Sequence, residues 1–268
     1  MRHIALFALL ILGSTTLVQA QAPATRPTLN PALPTLWIAG DSTAASGNRG
    51  WGVHLADYLD TTKINIANRA VGGQSSRTFI TQGAWGRMLS QFKPGDVVII
   101  QFGHNDISAI NDARVARGVI QTLGEETQEI DNLATKQHEV VHTFGWYMRK
   151  MISETREKGA IPVVVSMTVR NMWNEGKVER GAGEMAKFAI QIAKDQNVEY
   201  VDLNNNVANL FDSMGAEKVA PLFSPDKTHT TVEGADFNAS HVAAGLKSLK
   251  SPSFGAFLTE KGKELKPE

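Results

Sequence analysis

Three residues able to share one proton relay stand far apart in this chain. Ser42 closes the segment Gly40-Asp41-Ser42, directly after the short apolar run Leu36-Trp37-Ile38-Ala39. Much further on comes Asp226-Lys227-Thr228-His229, a carboxylate three residues before an imidazole. A serine hydroxyl is a poor nucleophile until a base takes its proton. A histidine base works best when an acid holds its second ring nitrogen. Serine, histidine and aspartate together point to hydrolysis of an acyl bond.

That reaction also needs donors for the negative oxygen formed during attack. Asn68-Arg69-Ala70-Val71-Gly72-Gly73 follows a second apolar run, and its glycines let the backbone turn sharply and expose an N–H. Gly103-His104-Asn105-Asp106 follows a third run and offers the Asn105 side-chain amide. Each piece has an ordinary reading by itself: a helix cap at Ser42, a glycine turn, an Asn-Asp turn, a surface Asp–His pair. Their shared placement after apolar runs is what sets them apart.

Those runs must be the elements that position the site. Candidate strands cover 35–39, 64–68, 96–102, 161–167 and 198–202, and Val97-Val98-Ile99-Ile100 and Val163-Val164-Val165 are apolar without alternation. Strands of a parallel sheet, covered on both faces, read this way. Candidate helices at 52–59, 85–92, 138–158, 182–196 and 231–249 alternate with them. The order predicts an α/β protein, a three-layer sandwich around a parallel sheet. In such folds ligands bind where the strands end. Residues 108–137 break the rhythm as one long polar stretch after the third strand, where it would overhang that edge.

Composition narrows the function. The 268 residues carry 27 basic and 27 acidic side chains, so neither a nucleic-acid partner nor a polybasic membrane patch is expected. The absence of cysteine excludes disulfides, thiolate catalysis and cysteine-based zinc sites. Residues 1–20 read as a secretory signal, with Arg2 ahead of an apolar stretch and Val18-Gln19-Ala20 as a cleavage site. Residues 21–34 form a proline-rich linker, 35–250 the folded domain and 251–268 a C-terminal tail. A secreted or periplasmic bacterial protein is expected, free of membrane in its mature form and monomeric.

One motif competes. His138-Glu139-Val140-Val141-His142 fits the His-Glu-x-x-His zinc signature, in which two histidines on one helix face share a metal. Met148 stands where a third imidazole would be wanted, so a zinc peptidase is the distant alternative.

Taken in order, the blocks around Ser42, Gly73, Asn105 and His229 resemble the SGNH hydrolases, or GDSL esterases. Gly-x-Ser-x-Gly, the elbow of another large hydrolase fold, is absent. The flanking residues Ala39-Gly40-Asp41-Ser42-Thr43, Gly50-Trp51-Gly52, Gly73-Gln74-Ser75-Ser76-Arg77-Thr78, Phe102-Gly103-His104-Asn105-Asp106 and Thr228-His229-Thr230 are similar to rhamnogalacturonan acetylesterases. The resemblance implies a flavodoxin-like five-stranded parallel sheet and no cofactor. It implies Ser42 as nucleophile, His229 as base and Asp226 as orienting acid. Ser42, Gly73 and Asn105 would then form the oxyanion hole, with an acetylated polysaccharide or oligosaccharide as substrate. Esterases of the same fold acting on lipids, thioesters or other acetylated sugars remain open, as does a non-catalytic glycan-binding protein. Arg77 is a candidate for a uronate carboxylate or for a structural link to loop carbonyls, and Trp173 for stacking on a sugar ring or for packing in the core.

Overall fold

The computed structural model describes residues 28–45, 47–181 and 184–266. The expected signal and the first half of the linker lie outside the described residues. The end of the linker is fastened to the domain. The N–H of Asn30 donates to Asn65 Oδ1 at 2.9 Å, and Lys93 Nζ donates to the carbonyls of Pro31 and Leu33 at 2.5 and 2.7 Å.

In chain order the strands are β1 (Thr35–Gly40), β2 (Asn65–Asn68), β3 (Val97–Gln101), β4 (Thr127–Asp131), β5 (His138–His142), β6 (Ile161–Val165), β7 (Trp173–Asn174), β8 (Lys177–Val178) and β9 (Glu199–Val201). Helices are α1 (Trp51–His54), α2 (Ser76–Thr81), α3 (Ala84–Leu89), α4 (Phe144–Glu157), α5 (Met185–Asp195), α6 (Leu203–Met214), α7 (Ala216–Val219), α8 (Val232–Ser248) and α9 (Glu260–Glu264). Five strands form one parallel sheet in the order β2-β1-β3-β6-β9. The pairs β4-β5 and β7-β8 are antiparallel hairpins outside it.

The central strands are apolar throughout because helices cover both faces. Leu36, Ile38, Val97, Ile99 and Val163 pack with Leu55, Val207, Phe211 and Val242 on one side. Trp37, Ala39, Val98, Ile100 and Val164 pack with Phe144, Met148, Met151 and Ile192 on the other. On the first side α8 lies so close to β9 that a Cβ on Gly245 would fall 2.3 Å from Val201 Cγ1. The result is the three-layer α/β/α sandwich, with the flavodoxin-like strand order.

Several elements differ from the sequence expectation. Residues 138–158 are not one helix: β5 comes first, and α4 begins only after Thr143, whose Oγ1 accepts the N–H of Trp146 at 2.9 Å. The β-branched pair Val140-Val141 suits a strand, and β4 is there to pair with it. Part of the stretch expected as a long loop is therefore a hairpin. Four helices are additional: α2, α6, α7 and α9. The short α2 is held by a capping box between Ser75 and Thr78. The run of asparagines at 204–206 hides α6. The expected tail also packs onto the domain: Phe254 and Leu258 are buried, and the N–H of Thr259 donates to the Tyr58 carbonyl at 3.0 Å.

The β4-β5 hairpin is latched to α2 by one ion pair. Arg77 donates from Nε and Nη2 to the two oxygens of Glu139 at 2.7 and 2.6 Å. Its Nη1 donates to the carbonyls of Ile110 and Gly118, each at 2.8 Å. Asn132 Nδ2 adds a bond to Glu139 at 2.7 Å. Burial alone would push the Glu139 carboxyl up, but Arg77 and Asn132 outweigh it and hold the group below its usual range. Arg77→Met is expected to cost up to about 3 kcal/mol, since it strands a half-buried carboxylate. Adding Glu139→Leu should recover part of that loss. Urea unfolding of the single and double variants decides; equal losses would show that the pair is not the latch.

Candidate active site

The register of the sheet brings the site together. Gly40 pairs with Gln101 and Ile38 with Asn68, so β1, β2 and β3 end along one edge. Ser42 follows β1 by two residues. Buried Asp41 shapes its turn by accepting the N–H and the hydroxyl of Thr43, both at 2.8 Å. Trp51 Nε1 donates to Gln101 Oε1 at 2.9 Å, and Gln101 Nε2 donates to the Ser166 carbonyl at 3.1 Å. These bonds tie the loop after β1 to the middle of the sheet.

His229 arrives from the turn before α8. Its Nε2 lies 2.8 Å from Ser42 Oγ, and its Nδ1 lies 2.7 Å from Asp226 Oδ2. The other oxygen of Asp226 accepts the backbone N–H groups of Thr228 and His229 at 2.9 and 2.8 Å. One carboxylate therefore shapes the turn and grips the imidazole. Lys227 at its centre is left-handed (φ 62°), a conformation that costs a side-chain-bearing residue about 1–2 kcal/mol. Partial burial resists ionisation of Asp226. The N–H groups of His229 and Thr228, with the imidazole, win and draw the carboxyl down to about 2. An ionised Asp226 places the ring proton on Nδ1, which leaves the Nε2 lone pair facing the serine hydroxyl.

The expected oxyanion donors lie on the neighbouring loops. Gly73 is left-handed (φ 79°), and a Cβ on Gly72 would sit 3.7 Å from Ser42 Cβ, so this turn runs beside the serine. Among the described residues no acceptor takes the N–H of Ser42 or of Gly73. Asn105 Nδ2 donates one hydrogen to the Gln74 carbonyl at 2.9 Å, which orients the amide and leaves its second hydrogen.

Behind Asn105 two buried groups are held by their surroundings. Asp106 accepts the N–H and hydroxyl of Ser76 at 3.0 and 2.5 Å, and burial pushes its carboxyl up to about 7. Burial drives the His104 imidazole down to about 4. Arg170 Nε donates to His104 Nδ1 at 3.3 Å, so His104 carries its proton on Nε2 and gives it to Thr168 Oγ1 at 2.9 Å. Neutral and engaged at both nitrogens, His104 is not available as a base.

Other sequence candidates fall elsewhere. Arg77 is fully buried and occupied by Glu139 and loop carbonyls, which corrects its reading as a uronate contact. Trp173 packs against the core beside β8, with Nε1 bonded to Asn171 Oδ1 at 2.7 Å. It does not line the serine's cleft. Trp51 and Trp85 are buried. The His-Glu-x-x-His motif lies on a strand, where four steps separate its histidines by about 13 Å, too far to share one metal ion. His138 leans on Asp131 at 3.2 Å, and His142 stacks on Trp146 with centroids 3.8 Å apart.

The cleft at Ser42 is about 220 Å³, lined by Ser42, Arg49, Asp226 and His229. Arg49 and Arg117 are additions that the sequence did not suggest. Arg49 belongs to a short 3-10 turn, and Arg117 lies in the stretch that read as loop. The only available signal for either was a basic residue close to a glycine.

Residues 38–237 match the GDSL-like lipase/acylhydrolase family, and the chain belongs to that family. It is a serine carboxylic ester hydrolase. A rhamnogalacturonan acetylesterase of Emericella nidulans is 31% identical over 201 residues, 75% of this chain and 80% of its own. A probable rhamnogalacturonan acetylesterase of Bacillus subtilis, YesY, is 29% identical over 236 residues, 84% of this chain and 98% of its own. The solved structure of YxiM from Bacillus subtilis shares the fold, with a TM-score of 0.64 at 24% identity over 83% of this chain; the match spans 58% of YxiM.

The two buried groups give opposite pH responses. His104 falls from 6.5 to about 4, so the unfolded chain binds a proton that the folded chain refuses, and stability is lost as pH drops through that window. Asp106 rises from 3.8 to about 7, so its contribution is present at low pH and lost as pH rises through the folded value. His104→Gln removes the first response and keeps the second. The stability gap between wild type and variant should therefore narrow between pH 7 and pH 4.5 in urea unfolding. A constant gap would contradict the assignment.

Proposed function

We propose that this chain removes acetyl groups from a plant cell-wall polysaccharide, with acetylated rhamnogalacturonan as the leading substrate. The observation that carries the reading is the continuous relay from Ser42 Oγ through His229 to Asp226, at 2.8 and 2.7 Å. His229 takes the serine proton as Oγ adds to the acetyl carbonyl. The N–H groups of Ser42 and Gly73 and the free Asn105 amide hydrogen receive the oxyanion. The C–O bond to the sugar breaks, and the sugar oxygen leaves with the proton from His229. Water, deprotonated by the same imidazole, then releases acetate from the serine ester.

Three features support a small acyl group on a large polar substrate. The cleft is small, and among the described residues every side chain lining it is polar. The relay is open, with side-chain exposures of 42% for His229 and 53% for Asp226, so an extended polymer could reach it. Two relatives are named for rhamnogalacturonan acetyl esters. We also propose export through the amino-terminal segment, consistent with a substrate outside the cell. Amino-terminal sequencing of the exported protein should find its start near Gln21.

Acetate release from acetylated rhamnogalacturonan tests the main reading. Ser42→Ala should lower kcat by about 10⁶-fold and Asp226→Asn by about 10⁴-fold. Asn105→Ala should lower it by about 10²–10³-fold. A loss under about threefold in Asn105→Ala would remove that residue from the oxyanion hole. Acetylated xylan and long-chain acyl esters serve as comparison substrates. Faster turnover of either, still dependent on Ser42, would move the substrate and leave the mechanism.

A further inference from the structure

A second cavity, about 480 Å³, is lined by the Gly72-Gly73 turn, α2 and the β4-β5 region. Its volume is within the range of about 300–1,000 Å³ usual for small-molecule sites. The charged groups in its lining are Arg114, Arg117, His138 and Glu139. Glu139 is already spent on Arg77 and Asn132. His138 leans on Asp131 and Glu129, both outside the lining. The charge left facing the cavity is that of Arg117, with Arg114 at the exposed rim.

Arg117 is half-buried and fixed in place. Its Nε donates to Ser108 Oγ at 3.1 Å and its Nη1 to the Gly73 carbonyl at 3.0 Å. Among the described residues nothing accepts from its Nη2. A guanidinium held by two of its nitrogens, with the third unengaged, is pre-ordered for an anion. It also touches the turn that carries the Gly73 N–H.

We propose that this cavity is the subsite for a carboxylate-bearing sugar, a uronic acid of the acetylated chain, and that Arg117 anchors its carboxylate. The proposal rests on the polysaccharide-deacetylating reading above. It transfers to Arg117 the task that the buried Arg77 cannot perform. Because the same guanidinium holds the Gly73 carbonyl, an acidic sugar docked there would also brace the oxyanion turn.

The test uses acetylated rhamnogalacturonan oligosaccharides in two forms, one with free carboxylates and one with them reduced to primary alcohols. Wild-type kcat/KM should favour the acidic form by about tenfold or more, the scale of one hydrogen bond to a charged group. In Arg117→Gln the preference should shrink to within about threefold, mainly through a higher KM for the acidic form. Arg117→Lys should retain part of it, as a cation without the guanidinium fork. The ratio between substrates is the readout, so any general loss from a loosened turn cancels. The wild-type comparison stands even if a variant fails to fold. Equal wild-type rates on both forms, or a preference kept by Arg117→Gln, would overturn the subsite alone. If neither form is deacetylated while Ser42-dependent hydrolysis of p-nitrophenyl acetate persists, the polysaccharide reading falls and the subsite with it.

Discussion

A parallel sheet covered by helices on both faces leaves polar side chains one place to gather, the edge where the strands end. The placement of Ser42, Gly73 and Asn105 follows from that constraint. Leu36, Ile38, Val97 and Ile99 are sealed on one side and Trp37, Val98 and Ile100 on the other, so the backbone cannot carry chemistry until it leaves the sheet. The register then decides which exits are neighbours. With Gly40 beside Gln101 and Ile38 beside Asn68, the loops carrying Ser42, Gly73 and Asn105 emerge side by side, although 63 positions separate Ser42 from Asn105.

The Asp226–His229 pair is brought in differently, by a self-contained turn. Asp226 accepts two backbone N–H groups and the imidazole, so the geometry of the pair is set locally before it meets the serine. The turn is also tied sideways, since the Lys227 carbonyl accepts the N–H of Asn171. The left-handed Lys227 is sustained because these bonds together exceed its conformational cost.

Legibility in the sequence tracked the distance over which each residue is determined. Ser42, Gly73 and Asn105 could be placed because each follows an apolar run whose burial is visible in composition. Asp226 and His229 could be paired because three residues separate them. The bonds of Arg77 to loop carbonyls fit one of its two readings, but its partner Glu139 was not legible, because it lies 62 residues away, on a strand whose sequence also fits a helix. The same ambiguity produced the apparent zinc motif, for a four-residue spacing joins two histidines on a helix and separates them on a strand. Arg117 was invisible for a similar reason: only the folded hairpin region brings it against Gly73. The helix α6 was hidden by its asparagines, and burial of Val207 and Phe211 overrides their low propensity.

The openness of the Asp226–His229 pair has a consequence for where the catalytic environment comes from. Electrostatic stabilisation is strongest where water is excluded, and in many enzymes a closing loop does the excluding. Here nearly half of the His229 side chain faces solvent before anything binds. The polysaccharide proposed above as substrate, lying across the edge of the sheet, would itself expel that water. The polymer would then be the roof of its own reaction chamber, and the enzyme would supply only the floor.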